Sequence, residues 1–138
     1  TQLDTEKYKI YVDSWLNELR SYYNNNFQYS FEDMWLNTYN EGGFQETHDH
    51  CDSDITIVFI VNDGPNFGKF YFSSRYYPNL SHNTRKLLTR NNFCDRYTPE
   101  SYPGSVIIFP SALPHGVTPH KSDVLRKTFS CNINLTRV

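Results

Sequence analysis

After a single helix-like stretch, this chain is a succession of short runs rich in β-branched and aromatic residues, an order that leaves few folds open. Residues 34–39, 55–61, 69–73, 105–109 and 126–135 are each of strand length and are parted by Gly, Pro, Asn and Asp. Before them, over residues 4–24, Tyr8, Tyr11, Val12, Trp15, Leu19, Tyr22 and Tyr23 recur at three- and four-residue steps, which is the stripe of an amphipathic helix. Asp4 or Thr5 supplies its cap, and Asn24-Asn25-Asn26 ends it. One helix followed by many short strands predicts a mainly β domain, a sandwich or barrel. The last run is the most informative: Arg126, Thr128, Ser130 and Asn132 share one face, and Phe129, Cys131 and Ile133 share the other. The apolar face packs, so the polar face must line something wet or charged.

At 138 residues the chain has the size of one domain, residues 1–138. Its 13 Lys and Arg nearly balance its 15 Asp and Glu, so no global field draws it to nucleic acid or to an anionic membrane. No apolar run approaches the length of a membrane span, because the longest, 55–61, is interrupted by Thr56. Aromatic residues make up 17% of the chain, which excludes disorder and predicts a core built from rings. Three cysteines, Cys51, Cys94 and Cys131, form no CxxC, and their odd number suits free thiols in a reducing, cytoplasmic compartment. Residues 75–104 break the regular pattern with Tyr76-Tyr77-Pro78, basic residues at Arg85, Lys86 and Arg90, and Pro99 and Pro103. An insertion of that length reads as a lid or substrate loop.

The histidines carry the chemistry. His48 and His50 sit two apart just before the run at Ile55, so an extended backbone puts both imidazoles on one face and Asp49 on the other. Two imidazoles side by side are half of a metal site. His115 follows the apolar run ending at Phe109, and a jelly roll brings such distant strand ends together, where a third imidazole completes a facial triad. Arg126 opens the polar face of the last run. Aimed into a barrel, its guanidinium needs an anion, and a small carboxylate clamped bidentately with help from the Thr128 hydroxyl would satisfy it. His82 and His120, in polar loops, read as solvated, and the Arg85, Lys86 and Arg90 group as a soluble face.

Tyr39-x-x-Gly42-x-x-Gln45-x-x-His48-x-His50, the strand 55–61, then Gly104-Ser105-Val106-Ile107-Ile108-Phe109-Pro110, His115 and Arg126-x-Thr128 follow in that order. This pattern resembles the iron(II)- and 2-oxoglutarate-dependent oxygenases, specifically their small prolyl-4-hydroxylase-like branch, which includes versions encoded by bacteriophages. The resemblance covers about two thirds of the chain and rests on order and spacing. It implies a double-stranded β-helix (jelly-roll, cupin-like) with an N-terminal helix, and the cofactors Fe(II), 2-oxoglutarate and O2. The implied activity is hydroxylation of a peptidyl-prolyl or other small polar substrate with release of succinate and CO2. Residue by residue it makes His48 the first metal ligand, His115 the distal one, and Arg126 with Thr128 the clamp for 2-oxoglutarate. Tyr39 and Gln45 are further candidates for binding the co-substrate, and strand 69–73 would border the substrate mouth.

One position departs from the family: His50 stands where most members have a carboxylate ligand. Three arrangements follow, a three-histidine centre of His48, His50 and His115, an HxD shifted to His50-x-Asp52, or a bulge that makes Asp49 the ligand, preferred in that order. Two other functions use the same residues. Three histidines and a water suit Zn²⁺ and hydrolysis, and a jelly roll that has lost its carboxylate ligand can serve as a non-catalytic binding module with 75–104 as its recognition surface.

Overall fold

Asp4 accepts the backbone N–H of Glu6 at 3.1 Å and so caps helix α1 (Thr5–Tyr23). The computed structural model describes residues 1–23, 26–75, 80–89 and 95–138. The Asn24-Asn25 helix stop, Tyr76-Tyr77-Pro78, Arg90 and Cys94 lie outside the described residues. The stripe that α1 buries is narrower than its sequence suggests. Val12 and Leu16 are fully buried, with Tyr8, Trp15 and Leu19 packed beside them. Tyr11 and Tyr22 lie on the flank of that arc and stay 58% and 82% exposed.

Beneath the helix lies a four-stranded antiparallel sheet in the order β1–β8–β3–β6, made of β1 (Phe27–Tyr39), β8 (Arg126–Arg137), β3 (Ile55–Ile60) and β6 (Val106–Pro110). A second sheet, in the order β2–β7–β4–β5, comprises β2 (Gln45–His48), β7 (His115–Val117), β4 (Phe70–Ser73) and β5 (Arg96–Tyr97). The fold is therefore mainly β, a jelly roll with an N-terminal helix, as expected. Alternation decides which residues face which layer. Ile57, Phe129, Cys131 and Ile133 point to the helix, where Trp15 stacks on Phe59 at 5.8 Å and Tyr8 meets Phe129 at 5.4 Å. Val58, Ile60 and Phe109 point the other way and meet Phe70 and Val117 of the second sheet.

β1 runs seven residues further back than the sequence pattern indicates, because a bulge between Phe31 and Asp33 resets its alternation. Phe27, Tyr29 and Phe31 pack toward the helix before the bulge and Met34 after it. The reset sends Asp33, Trp35, Asn37 and Tyr39 inward, opposite Asn132, Ser130, Thr128 and Arg126 of β8. The free edge of β1 is covered by the N-terminal residues, with Leu3 N–H on the Met34 carbonyl and Leu36 N–H on the Thr1 carbonyl, each at 2.9 Å.

Within 75–104 the structure shows more order than the sequence reading allows. Ser81 caps a short helix α2 (His82–Thr89), and β5 pairs with β4. His82 is exposed at the start of α2. His120, expected to be solvated, is instead fully buried: its Nδ1 accepts the Gly68 N–H at 3.1 Å, its Nε2–H donates to the Val124 carbonyl at 2.7 Å, and Phe67 meets its ring edge-on. Burial is possible because both ring nitrogens are satisfied by backbone. Cys51 is exposed, Cys131 is buried, and both are free thiols. Among the described residues no helix is long and apolar enough to cross a membrane.

Candidate metal centre

His48 is the last residue of β2 and His115 the first of β7, and the two are direct cross-strand partners. β7 runs between β2 and β4 so tightly that a side chain at Gly116 would meet the Tyr71 hydroxyl at 2.6 Å and the Gln45 carbonyl at 2.8 Å. His50 does not lie on an extended strand. β2 ends at His48, and the chain is carried on by the His50 N–H donating to the Ser111 carbonyl at 2.9 Å. The rings converge all the same, with centroids 4.4 Å apart for His48 and His115, 5.0 Å for His48 and His50, and 5.1 Å for His50 and His115. One ring nitrogen from each lies within 4.8 Å of the others.

Two tautomers are fixed by backbone. Nδ1–H of His48 donates to the Glu46 carbonyl and Nδ1–H of His115 to the Leu113 carbonyl, both at 2.8 Å, which leaves each Nε2 as a free lone pair. Burial between Phe70 and Phe109 holds the His115 ring down to about 4, opposed by the Leu113 hydrogen bond, so it is neutral at pH 7. Burial and the neighbouring His48 also lower His50. Neutral, convergent imidazoles are what a divalent metal requires. The carboxylates of the HxH segment are placed elsewhere. Asp49 takes the Cys51 thiol and the Arg75 guanidinium, which hold its carboxyl below the usual range, and Asp52 is exposed in a turn.

Arg126 opens β8 opposite Tyr39, the last residue of β1. It is only 3% exposed, its guanidinium lies 5.0 Å from the centroid of the Tyr39 ring, and its Nη1 is buried with no hydrogen-bond partner. Burial lowers Arg126 and raises the Tyr39 phenol, the latter partly offset by the cation beside it. A buried guanidinium with an unused N–H can accept an anion as its partner. All seven residues singled out from sequence, Tyr39, Gln45, His48, His50, His115, Arg126 and Thr128, line one pocket between the sheets.

The same pocket is lined by residues the sequence reading missed. Trp35 Nε1–H donates to Asn37 Oδ1 at 2.9 Å, and Asn37 Nδ2 reaches Ser130 Oγ at 3.0 Å and Thr128 Oγ1 at 3.3 Å, forming a polar wall from β1 to β8. Alternation of Asp33, Trp35, Asn37 and Tyr39 was the available signal, but pairing it with β8 needs the register. Beyond that wall Asp33 keeps one buried carboxylate oxygen without a partner.

Residues 33–132, more than two thirds of the chain, match the model of a family described as "Putative 2OG-Fe(II) oxygenase". No curated protein matches the chain. Among solved structures it is similar to an oxidoreductase of the 2OG-Fe(II) oxygenase family from Burkholderia pseudomallei, at 12% identity and a TM-score of 0.63, over 84% of this chain and 50% of that one. It is also similar to HygX from Streptomyces hygroscopicus with nickel and 2-oxoglutarate bound, at 11% identity and a TM-score of 0.58, over 80% of this chain and 57% of that one. EctD from S. alaskensis in its apoform shares 15% identity and a TM-score of 0.56, over 78% and 45% of the two chains. The chain thus spans about half the length of these structures, and at such identities the likeness is one of fold. With the family pattern running through the segments that carry the three histidines and Arg126, the chain belongs to the 2OG-Fe(II) oxygenases.

Proposed function

We propose that this protein is an Fe(II)- and 2-oxoglutarate-dependent dioxygenase whose metal is held by His48, His50 and His115. The observation that carries the reading is the buried, unpartnered Nη1 of Arg126 in the same pocket as the three converging imidazoles. The donor set fits a divalent metal, and the orphaned N–H fits one end of a dicarboxylate. When bound, iron with 2-oxoglutarate supplies the activation of O2, which converts the co-substrate to succinate and CO2 and puts one oxygen atom into a substrate C–H bond.

The chain's own residues do the rest. In the neutral rings the backbone bonds hold the proton of His48 and of His115 on Nδ1, so that each presents Nε2 to a metal. Arg126, with Thr128 and Tyr39 beside it, takes the distal carboxylate, while Gln45 closes the wall next to His48. Phe70 and Phe109 keep the side of His115 dry. Three neutral ligands leave the site one unit more positive than the family's usual set, which favours a dianionic co-substrate.

The substrate is a peptidyl-prolyl or other small polar group, and the protein works in the cytoplasm, where free Cys51 and Cys131 stay reduced. The chain works as one domain, with residues 75–104 as the lid on the substrate side. In support, Arg75 ties the start of that stretch to Asp49 and, at 2.8 Å, to the Ala112 carbonyl, that is, to both segments bearing histidines. A zinc hydrolase would use the same imidazoles but has no use for Arg126. The test is succinate release from 2-oxoglutarate in air. Fe(II)-dependent release that His115→Ala and Arg126→Ala abolish supports the reading. Wild-type-like release in both variants, or Zn²⁺-dependent ester hydrolysis without succinate, contradicts it.

A further inference from the structure

Behind the His50 ring runs a line of buried polar side chains to which the reaction proposed above gives no role. Ser111, Thr56 and Asn132 are 0%, 1% and 3% exposed. Thr56 Oγ1 lies 2.8 Å from Ser111 Oγ and 2.8 Å from Asn132 Oδ1, and Asn132 Nδ2 lies 3.2 Å from Nδ1 of His50. Ser111 also accepts the His50 backbone N–H, so the line begins and ends on the segment that carries the ring. Sequestering two hydroxyls and an amide from water is costly unless each satisfies the next.

His50 differs from the other two histidines in the kind of partner it has. A carbonyl only accepts, so Glu46 and Leu113 fix the proton of His48 and His115 on Nδ1. Asn132 offers an N–H or an oxygen, according to which way its amide is turned. In the structure the amide nitrogen faces the ring; Nδ1 is then an acceptor, and the neutral ring carries its proton on Nε2, where it blocks a metal. With the amide turned over, Oδ1 accepts Nδ1–H and Nε2 is freed, while Nδ2 donates to Thr56 Oγ1 and the Thr56 hydrogen passes to Ser111 Oγ. The first order is the better satisfied, since in the second the Ser111 hydrogen loses its acceptor. Between the two, one proton leaves Nε2 to water and one arrives at Nδ1, so the charge of the ring does not change.

We propose that Asn132, Thr56 and Ser111 form a reversible hydrogen-bond chain that selects the tautomer of His50, and that a divalent metal at the three-histidine centre drives the chain into the order that frees Nε2. Asn132 is thus a positioning residue, acting on the metal through His50. The inference rests on His50 being a ligand, as the functional reading above requires.

Nitrogen-15 NMR of the histidine rings, without metal and with one equivalent of Zn²⁺, tests it directly. Without metal, His48 and His115 are expected as Nδ1–H and His50 as Nε2–H; with Zn²⁺, all three as Nδ1–H. Asn132→Asp, which can only accept while ionised, should hold His50 as Nδ1–H even without metal and tighten Zn²⁺ binding at least tenfold. Asn132→Leu should weaken Zn²⁺ binding roughly 10- to 100-fold and leave the His48 and His115 tautomers unchanged. A His50 ring that is Nδ1–H before metal is added, or that stays Nε2–H after Zn²⁺ has shifted His48 and His115, overturns the chain while a metal site stands. Zn²⁺ that shifts none of the three rings overturns the three-histidine centre and the chain with it.

Discussion

Tyr39 and Arg126 face each other across the β1–β8 pair, the guanidinium 5.0 Å from the centre of the phenol ring and one of its nitrogens buried without a partner. Burying that cation with one N–H left without a partner is costly in the ligand-free fold. Arg126→Met should therefore raise the melting temperature of the ligand-free protein, by about 2 kcal/mol or roughly 5 °C. The same change should abolish the stabilisation that added 2-oxoglutarate gives the wild type. Thermal melts of both proteins with and without 2-oxoglutarate and Fe(II) check it; an unstabilised variant that still responds to 2-oxoglutarate contradicts it.

Asn37 satisfies three neighbours at once, Trp35, Thr128 and Ser130. Asn37→Leu would leave an indole N–H and two hydroxyls short of partners in the pocket wall, at a cost of about 2 kcal/mol. Urea unfolding should show the midpoint falling with an unchanged slope. Because Arg126 and the histidines are not touched by Asn37, metal affinity should stay within about threefold of wild type.

His120 is a structural pin, far from the solvated loop residue that its polar neighbours in sequence suggest. Its two ring nitrogens join Gly68 to Val124, and its backbone bridges Gly42 and Gly43. Removing the ring in His120→Ala leaves a cavity beside Phe67 and an orphaned backbone N–H and C=O, worth about 3 kcal/mol together. A melting temperature lowered by roughly 8 °C, with the metal titration of the folded fraction unaltered, is the expected result.

The alkaline limit of stability follows from two acids on the helix side of the sheet, the buried Cys131 and the partly buried Tyr29. Burial pushes the Cys131 thiol up to about 12 from an ordinary 9.0, and burial together with the Asp13 carboxylate raises the Tyr29 phenol. Both groups remain protonated in the folded chain at pH values where the unfolded chain has lost the proton. Their contribution is complete below about pH 9 and is lost as the pH rises through the folded values. Stability should fall by roughly 2–3 kcal/mol between pH 9 and 11 from Cys131 alone. Urea midpoints across that range should fall less steeply for Cys131→Ala than for wild type.

The inner wall of the site was half legible from sequence. The face Arg126, Thr128, Ser130 and Asn132 reads directly from period-two alternation, and His48, His50 and His115 read from composition and order. Its opposite half, Trp35, Asn37 and Asp33, did not, because the bulge between Phe31 and Asp33 hides the register in which β1 meets β8. β2, β5 and β7 were missed because strands of two to four residues carry too little alternation to stand out. Thr56 reads as a blemish in an apolar run until β3 is laid against Asn132 of β8. His120 misleads for the same reason, since its burial comes from partners about 50 residues away in sequence.

The most direct test of the account is an anaerobic titration of the metal-free protein with Fe(II) and then 2-oxoglutarate, watched for the visible metal-to-ligand charge-transfer band of the chelate. The account predicts a band that saturates at one equivalent of each in wild type, disappears in His48→Ala and His115→Ala, and needs far more 2-oxoglutarate in Arg126→Met. Tight Fe(II) or Zn²⁺ binding with no band at any 2-oxoglutarate concentration would contradict it and leave a metal site of another kind.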